Sequence, residues 1–183
     1  MFEMLDTLFI IKFFNNSIVW DLIMEFKVLR GEDTPSIWRI NEEGLPGTGK
    51  ITQDALGNLL KLGEFSIGAF KGSELLGFVI CLLPNKKYGS ENYAWFNKKY
   101  KKFLYIDRIA VSKKYRNKNI GSILYEKVIS YAHELNLPIT AEVSLDPPNH
   151  GSMRFHYRND FIEVGILHHE HKSVTMMLHN SKK

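Results

Sequence analysis

Residues 103 to 138 constrain this chain more than any other stretch. Phe103 to Val111 (Phe-Leu-Tyr-Ile-Asp-Arg-Ile-Ala-Val) reads as a strand, residues 112 to 119 as a basic turn, and Ile120 to about Asn136 as a helix. The apolar positions 120, 123, 124, 128, 131, 132 and 135 recur at helical spacing, and Pro138 marks the end. A strand that runs through a tight turn into an amphipathic helix needs a sheet against which both can pack.

The flanking segments supply that sheet. Glu25 to Arg30 alternates polar and apolar residues as a strand does. Asp33-Thr34-Pro35 offers a cap and a proline for a helix ending near Gly44. A second helix is expected over Gln53 to Leu62, and a hairpin over Phe65 to Phe70 and Glu74 to Leu83. The second hairpin strand is almost wholly apolar and therefore central. Residues 84 to 102 read as a long polar, aromatic-rich connection. Ile139 to Leu145 alternates as a strand, Pro147-Pro148 stops it, a short helix runs from Asn149 to Tyr157, and strands 161 to 167 and 173 to 178 follow. The order is that of a mixed α/β sheet flanked by helices.

With 183 residues, 44% of them hydrophobic, the chain suits a single domain with a sizeable core. A start of that domain near Met24 is expected, with residues 1 to 23 an N-terminal extension and 24 to 183 the domain. Lys12, Asn15, Asn16 and Asp21 interrupt the apolar run near the N-terminus, so no membrane insertion is expected. The lone Cys81, set in an apolar run, fits a reducing cytoplasm and makes a poor nucleophile.

The net charge of +4 is uneven. Nine bases and a single acid fall within residues 98 to 118, which points to a local anion site rather than a nucleic-acid coat. A solvated basic face is the plainer alternative. Gly44 to Lys50 fits the opening of a nucleotide-binding loop, but Ile51 stands where that loop needs Ser or Thr, and a helix precedes it where a strand is required. A connection beside the acceptor site is the reading taken. His168, His169 and His171 lack companion ligands at metal spacing and read as an exposed strand-edge tract, so no metal is expected.

The turn before the helix at 120 is where an anion fits. A helix start leaves backbone N–H groups unpaired and carries about half a positive charge. Arg116, Asn117, Lys118, Asn119, Ile120, Gly121 and Ser122 can therefore hold a diphosphate, with Arg116 and Lys118 as counter-charge.

Residues 103 to 122 resemble the acetyl-CoA segment of the GNAT superfamily of N-acetyltransferases, in which Arg116 and Gly121 match Arg/Gln-x-x-Gly-x-Gly/Ala and Asn119 replaces the first Gly. Asn149 to Gly165 resembles the superfamily's Asn-x-x-Ser/Ala-x-x-Phe/Leu-Tyr-x-x-x-Gly-Phe pattern through Asn149, Ser152, Phe155 and Phe161, with His156 in place of Tyr and Asp160 in place of Gly. Tyr105-Ile-Asp-Arg108, Pro147-Pro-Asn149 and Phe155-His156 look like an uncharacterised subgroup of predicted GNAT acetyltransferases.

The resemblance covers about residues 25 to 180. It implies a mostly antiparallel sheet of six to seven strands with the acyl-CoA N-acyltransferase fold. It implies acetyl-CoA as co-substrate, its pantetheine arm beside Ile109, Ala110 and Val111, and an amide of Ile109 or Ala110 facing the thioester oxygen. Asn149 and Phe155 join the cofactor set, and His156 takes the proton-donor role toward the departing thiolate, the alternative being a helix-packing or capping His156 with Tyr157 serving instead. A protonated amine needs a base before it can attack. Glu142, Asp107 and, third, Glu91 are candidates, each of which is alternatively a structural ion pair, with Arg108 a partner for Asp107. Glu91, Tyr93 and Trp95 are expected at the acceptor, although such aromatics also serve as loop plugs.

The expected activity is acetyl transfer to a primary amine of a small molecule or peptide, by direct attack and without nucleic acid or membrane. The oligomeric state is open, a homodimer included. A non-catalytic acyl-CoA-binding module is the alternative.

Overall fold

The computed structural model describes residues 8–11 and 22–180. Eight strands form one sheet in the order β1-β2-β3-β4-β5-β6-β8-β7: β1 (Leu8–Ile11), β2 (Leu22–Val28), β3 (Phe65–Lys71), β4 (Glu74–Leu82), β5 (Leu104–Val111), β6 (Ile139–Asp146), β7 (Ile162–His168) and β8 (Ser173–His179). Among the described residues five α-helices accompany them: α1 (Thr34–Glu43), α2 (Gln53–Leu62), α3 (Glu91–Lys99), α4 (Ile120–Glu134) and α5 (His150–Arg158). Every strand pairing is antiparallel except that of β5 with β6. Strands β2 to β8 make up the seven-stranded, mostly antiparallel sheet, and β1 adds an eighth at the edge. Met24 falls inside β2, while residues 1–7 and 12–21 lie outside the described ones.

The two faces of the sheet carry separate cores. Ile120, Ile123, Leu124, Tyr125 and Val128 of α4 pack with Leu76, Val79 and Cys81 of β4 on one face. Ile37 and Ile40 of α1, Leu56 and Leu59 of α2, and Tyr93 and Phe96 of α3 pack with Phe78, Ile80 and Leu82 on the other. Strand β4 is thus buried on both sides, which explains its unbroken apolar run. Cys81 lies within it fully buried, its thiol pushed up by desolvation and then by the charge of Asp107.

The segment read as an irregular connection contains α3. Its amphipathic signal is weak because Asn92, Tyr93 and Phe96 form its buried face. Ser90 caps it by accepting from the Tyr93 amide at 3.3 Å, a local signal the sequence does display. Trp95 lies against Gly165 of β7, where an added Cβ would come within 2.7 Å of the indole. Gly77 likewise permits close approach, since a Cβ there would meet Ala110 O at 3.0 Å and Ile120 at 3.3 Å. The absent side chain lets the start of α4 settle onto the sheet.

Candidate active site

Strands β5 and β6 pair only at Leu104 with Ile139 and Tyr105 with Thr140. Just beyond, the register of β5 against β4 jumps: Cys81 faces Ile106 and Ile80 faces Arg108, which leaves Asp107 unopposed as a bulge. Between the parted strands opens a cleft of about 250 Å³, its walls including Ile109, Tyr125, Glu142, His156 and Lys172. Pro46 to Gly49 form part of its rim, so the glycine-rich loop stands beside the cleft, preceded by helix α1.

Asp107 and Arg108, neighbours across the bulge, form an ion pair of 2.8 Å with side chains only 3% and 8% exposed. Arg108 also donates to Asn41 Oδ1 at 2.8 Å, and the buried Asn41 amide donates to Gly49 O at 3.1 Å. One guanidinium thereby links α1, the rim loop and β5. Of the two readings of Asp107, the structure supports the ion pair: its carboxylate is committed to Arg108.

Glu142 has the opposite character. Its Oε1 accepts from Asn92 Nδ2 at 2.9 Å and from the Tyr105 hydroxyl at 3.0 Å, while its buried Oε2 has no partner. Burial, then the negative charge of Asp107, pushes its carboxyl up to about 7, against the weaker pull of the two donors and Lys172. A carboxyl with one tethered oxygen, one unpartnered oxygen and proton affinity near neutrality can accept a proton.

His156 is 4% exposed, and both of its ring nitrogens are engaged. Its Nδ1 lies 2.9 Å from Ser152 O, which only accepts, so Nδ1 carries the proton and Nε2 accepts from the Tyr125 hydroxyl at 2.6 Å. Burial lowers the imidazole below its usual value and raises the Tyr125 phenol well above its own. Sequence reasoning offered His156, with Tyr157 as the alternative, and did not single out Tyr125, which lies on the buried stripe of α4. Phe155 packs edge-on to Tyr125 at 4.7 Å, and Asn149 caps α5 by accepting from the Ser152 amide at 3.1 Å.

The three residues expected at the acceptor do not wall the cleft. Tyr93 is buried, its hydroxyl donating to Leu83 O and accepting from the Lys86 amide, so it anchors the loop before α3. Trp95 packs on β7 beneath Lys99, whose ammonium lies 4.6 Å from the ring. Glu91 points outward and pairs with His169. Their neighbours Tyr88, Ser90 and Asn92 line the cleft instead. His169 also departs from expectation: it is mostly covered and bonded on both ring nitrogens.

At the far end of β5, both turn asparagines are left-handed, Asn117 at φ 60° and Asn119 at φ 59°. Asn119 stands at the N-cap of α4 without capping it through its side chain, so the first-turn amides face outward uncovered by that group. Arg116 is braced by Val111 O at 3.2 Å and Glu43 O at 3.0 Å. Gly121 has a single neighbour near its outer side, Val111 at 3.8 Å. This shallow, basic, glycine-opened turn fits a diphosphate. Among the described residues no cluster of metal-ligand type occurs, and no helix is long and apolar enough to cross a membrane.

The family model of the acetyltransferase (GNAT) family matches residues 29–161, a span that runs from just after β2 through α5. The chain belongs to the GNAT acetyltransferase family. Solved structures agree in fold. Ard1 from Thermoplasma volcanium gives a TM-score of 0.68 at 18% identity, covering 85% of this chain and 95% of that one. The ribosomal-protein-S18-alanine N-acetyltransferase from Escherichia coli gives 0.67 at 13%, covering 88% and 96%. Arabidopsis thaliana NAA60 in complex with acetyl-CoA gives 0.68 at 20%, covering 85% and 97%. Comparison with curated proteins gives no match. Acetyl-CoA is the donor that GNAT enzymes use.

Proposed function

We propose that this GNAT enzyme transfers the acetyl group of acetyl-CoA to a primary amine by direct attack, with Glu142 as general base. The observation that carries the reading is the unpartnered, buried Oε2 of Glu142 in the cleft, on a carboxyl that titrates near 7. At neutral pH about half of such a carboxyl is ionised, enough to take a proton from the incoming ammonium.

The diphosphate of acetyl-CoA is held by the amides of residues 120 to 122 with Arg116 and Lys118 beside them. The thioester enters the opening between β5 and β6, where an amide of Ile109 or Ala110 donates to the carbonyl oxygen and stabilises the charge that grows there, an effect of about 3 kcal/mol per donor. Glu142 takes one proton from the incoming ammonium, and the freed amine nitrogen bonds to the carbonyl carbon. As the C–S bond breaks, the second amine proton reaches the departing sulfur through the Tyr125 hydroxyl, which gives its own proton and regains one, so that CoA leaves as the thiol. His156 acts behind Tyr125.

An amine of a protein is one acceptor class, in keeping with the Escherichia coli structure's being a ribosomal-protein-S18-alanine N-acetyltransferase; small amines are the other. Release of free CoA measured against a panel of N-terminal peptides and small amines tests the proposal. Turnover in the parent protein, with a fall of about 10²- to 10⁴-fold in Glu142→Gln at unchanged CoA affinity, is the expected result. Tight CoA binding without turnover on any amine would instead assign a non-catalytic acyl-CoA module.

A further inference from the structure

The histidine tract of the β7–β8 turn is not used by the chemistry above, yet His169 reaches Glu142 through one intermediary. Its Nε2 lies 2.9 Å from Asn92 Oδ1, and its Nδ1 lies 2.6 Å from Glu91 Oε2. Asn92 in turn presents Nδ2 to Glu142 Oε1 at 2.9 Å. Residues 91 and 92 open α3, Glu142 stands on β6, and His169 stands in a turn closed by its own amide donating to Lys172 O at 2.8 Å. Three elements distant in sequence meet in a single chain of hydrogen bonds.

The chemistry of the partners fixes its direction. A carboxylate oxygen only accepts, so the Asn92 NH₂ faces Glu142 and its carbonyl faces His169. That carbonyl needs an N–H at His169 Nε2, and the Glu91 carboxylate needs another at Nδ1. The His169 ring thus stands between the Asn92 carbonyl and the Glu91 carboxylate, within hydrogen-bond reach of both. The ring side chain is 13% exposed and the Glu91 side chain 78%, so the pair has a covered inner member and a solvated outer one.

We propose that His169 is a positioning residue for the base: together with Glu91 it holds the Asn92 amide so that its N–H is aimed at Glu142 Oε1, leaving Oε2 for the acceptor amine. This rests on the assignment of Glu142 as the base. The Asn92 donor favours the ionised carboxylate and opposes the burial that raises it. The other groups facing Glu142 are Asp107 and Tyr105 from β5, Tyr125 from α4 and Lys172 from the β7–β8 turn; Glu91 is the charge facing His169. Without His169 the Asn92 amide is free to turn, and Glu142 holds its proton to higher pH.

The test pairs ¹³C NMR titration of glutamate carboxyls, with Glu142 assigned by its loss in Glu142→Gln, with the pH profile of kcat/KM. In His169→Leu, which lacks both donors, the Glu142 titration and the acid limb of the profile both move up by about one pH unit. His169→Gln keeps a donor at the Nε2 position and recovers most of that displacement. Glu91→Gln, a change at an exposed site that leaves the fold intact, gives a smaller displacement of the same sign. An unmoved Glu142 titration in His169→Leu and Glu91→Gln overturns the proposal. A carboxyl that moves while the acid limb stays in place retains the clamp and overturns Glu142 as the base, so the two failures are distinguishable.

Discussion

Replacing Glu142 by Gln should abolish activity and stabilise the protein, and the two effects should have different pH dependences. In the unfolded chain the carboxyl ionises near its ordinary 4.5; in the cleft it does so near 7. Between these values the folded state binds more protons than the unfolded one, so stability falls as pH rises from about 4.5 to 7 and the loss is complete above 7. A displacement of about 2.5 units corresponds to roughly 3 kcal/mol, and the residual exposure of this half-buried residue brings it to about 2–3 kcal/mol. Glutamine carries no such burden and still accepts from Asn92 and Tyr105. For a chain of this length Tm should rise by about 4–10 °C at pH 8 and hardly at all at pH 4.5.

Differential scanning calorimetry at the two pH values gives the stability arm. Steady-state CoA release gives the other, with an acid limb near pH 7 in the parent protein that is the same for acceptor amines of different basicity. Glu142→Gln should lower kcat/KM by about 10²- to 10⁴-fold and erase that limb. An acid limb at pH 4 to 5, or equal melting of the two proteins at pH 8, would refute the raised proton affinity and with it the assignment of the base.

Asp107→Asn removes the like charge beside Glu142 and should move the acid limb below pH 7, while leaving Arg108 buried beside an uncharged amide at a cost of about 3–5 kcal/mol in urea unfolding. Tyr125→Phe should lower kcat by about tenfold or more without changing KM for acetyl-CoA, and should cost about 1–2 kcal/mol because His156 Nε2 loses its donor. Gly165→Ala should lower Tm by several degrees, about 1–3 kcal/mol, because the new methyl meets the Trp95 ring; shortening that ring in Gly165→Ala/Trp95→Leu should recover part of the loss.

Much of the fold was readable because its signals are local. The helical spacing of residues 120 to 135, the proline at 138 and the apolar run of β4 each report their own environment. Asn119 adopts the left-handed angle that its place in the turn implied. Helix α3 was hidden because its buried face is built from Asn92, Tyr93 and Phe96, a pattern hydrophobic periodicity does not register, although Ser90 signalled the cap. At the site, sequence brought forward Glu142, His156 and Asp107 from residue type and strand position. It could not separate their roles, because those depend on partners 31 to 50 residues away: Asn92 and Tyr105 on Glu142, and Tyr125 behind His156. The committed carboxylate of Asp107 and the available one of Glu142 differ only in such contacts.

The unopposed residue in β5 gives the cleft an origin in the covalent chain. Removing Asp107 would turn the bulge into regular ladder in which Ile106, Arg108 and Ile109 keep Cys81, Ile80 and Val79 opposite them, and would take from Glu142 the like charge that adds to burial in raising its proton affinity. A single-codon deletion would therefore remove both the irregularity in β5 just past the point where it parts from β6 and the charge that tunes the base beside it.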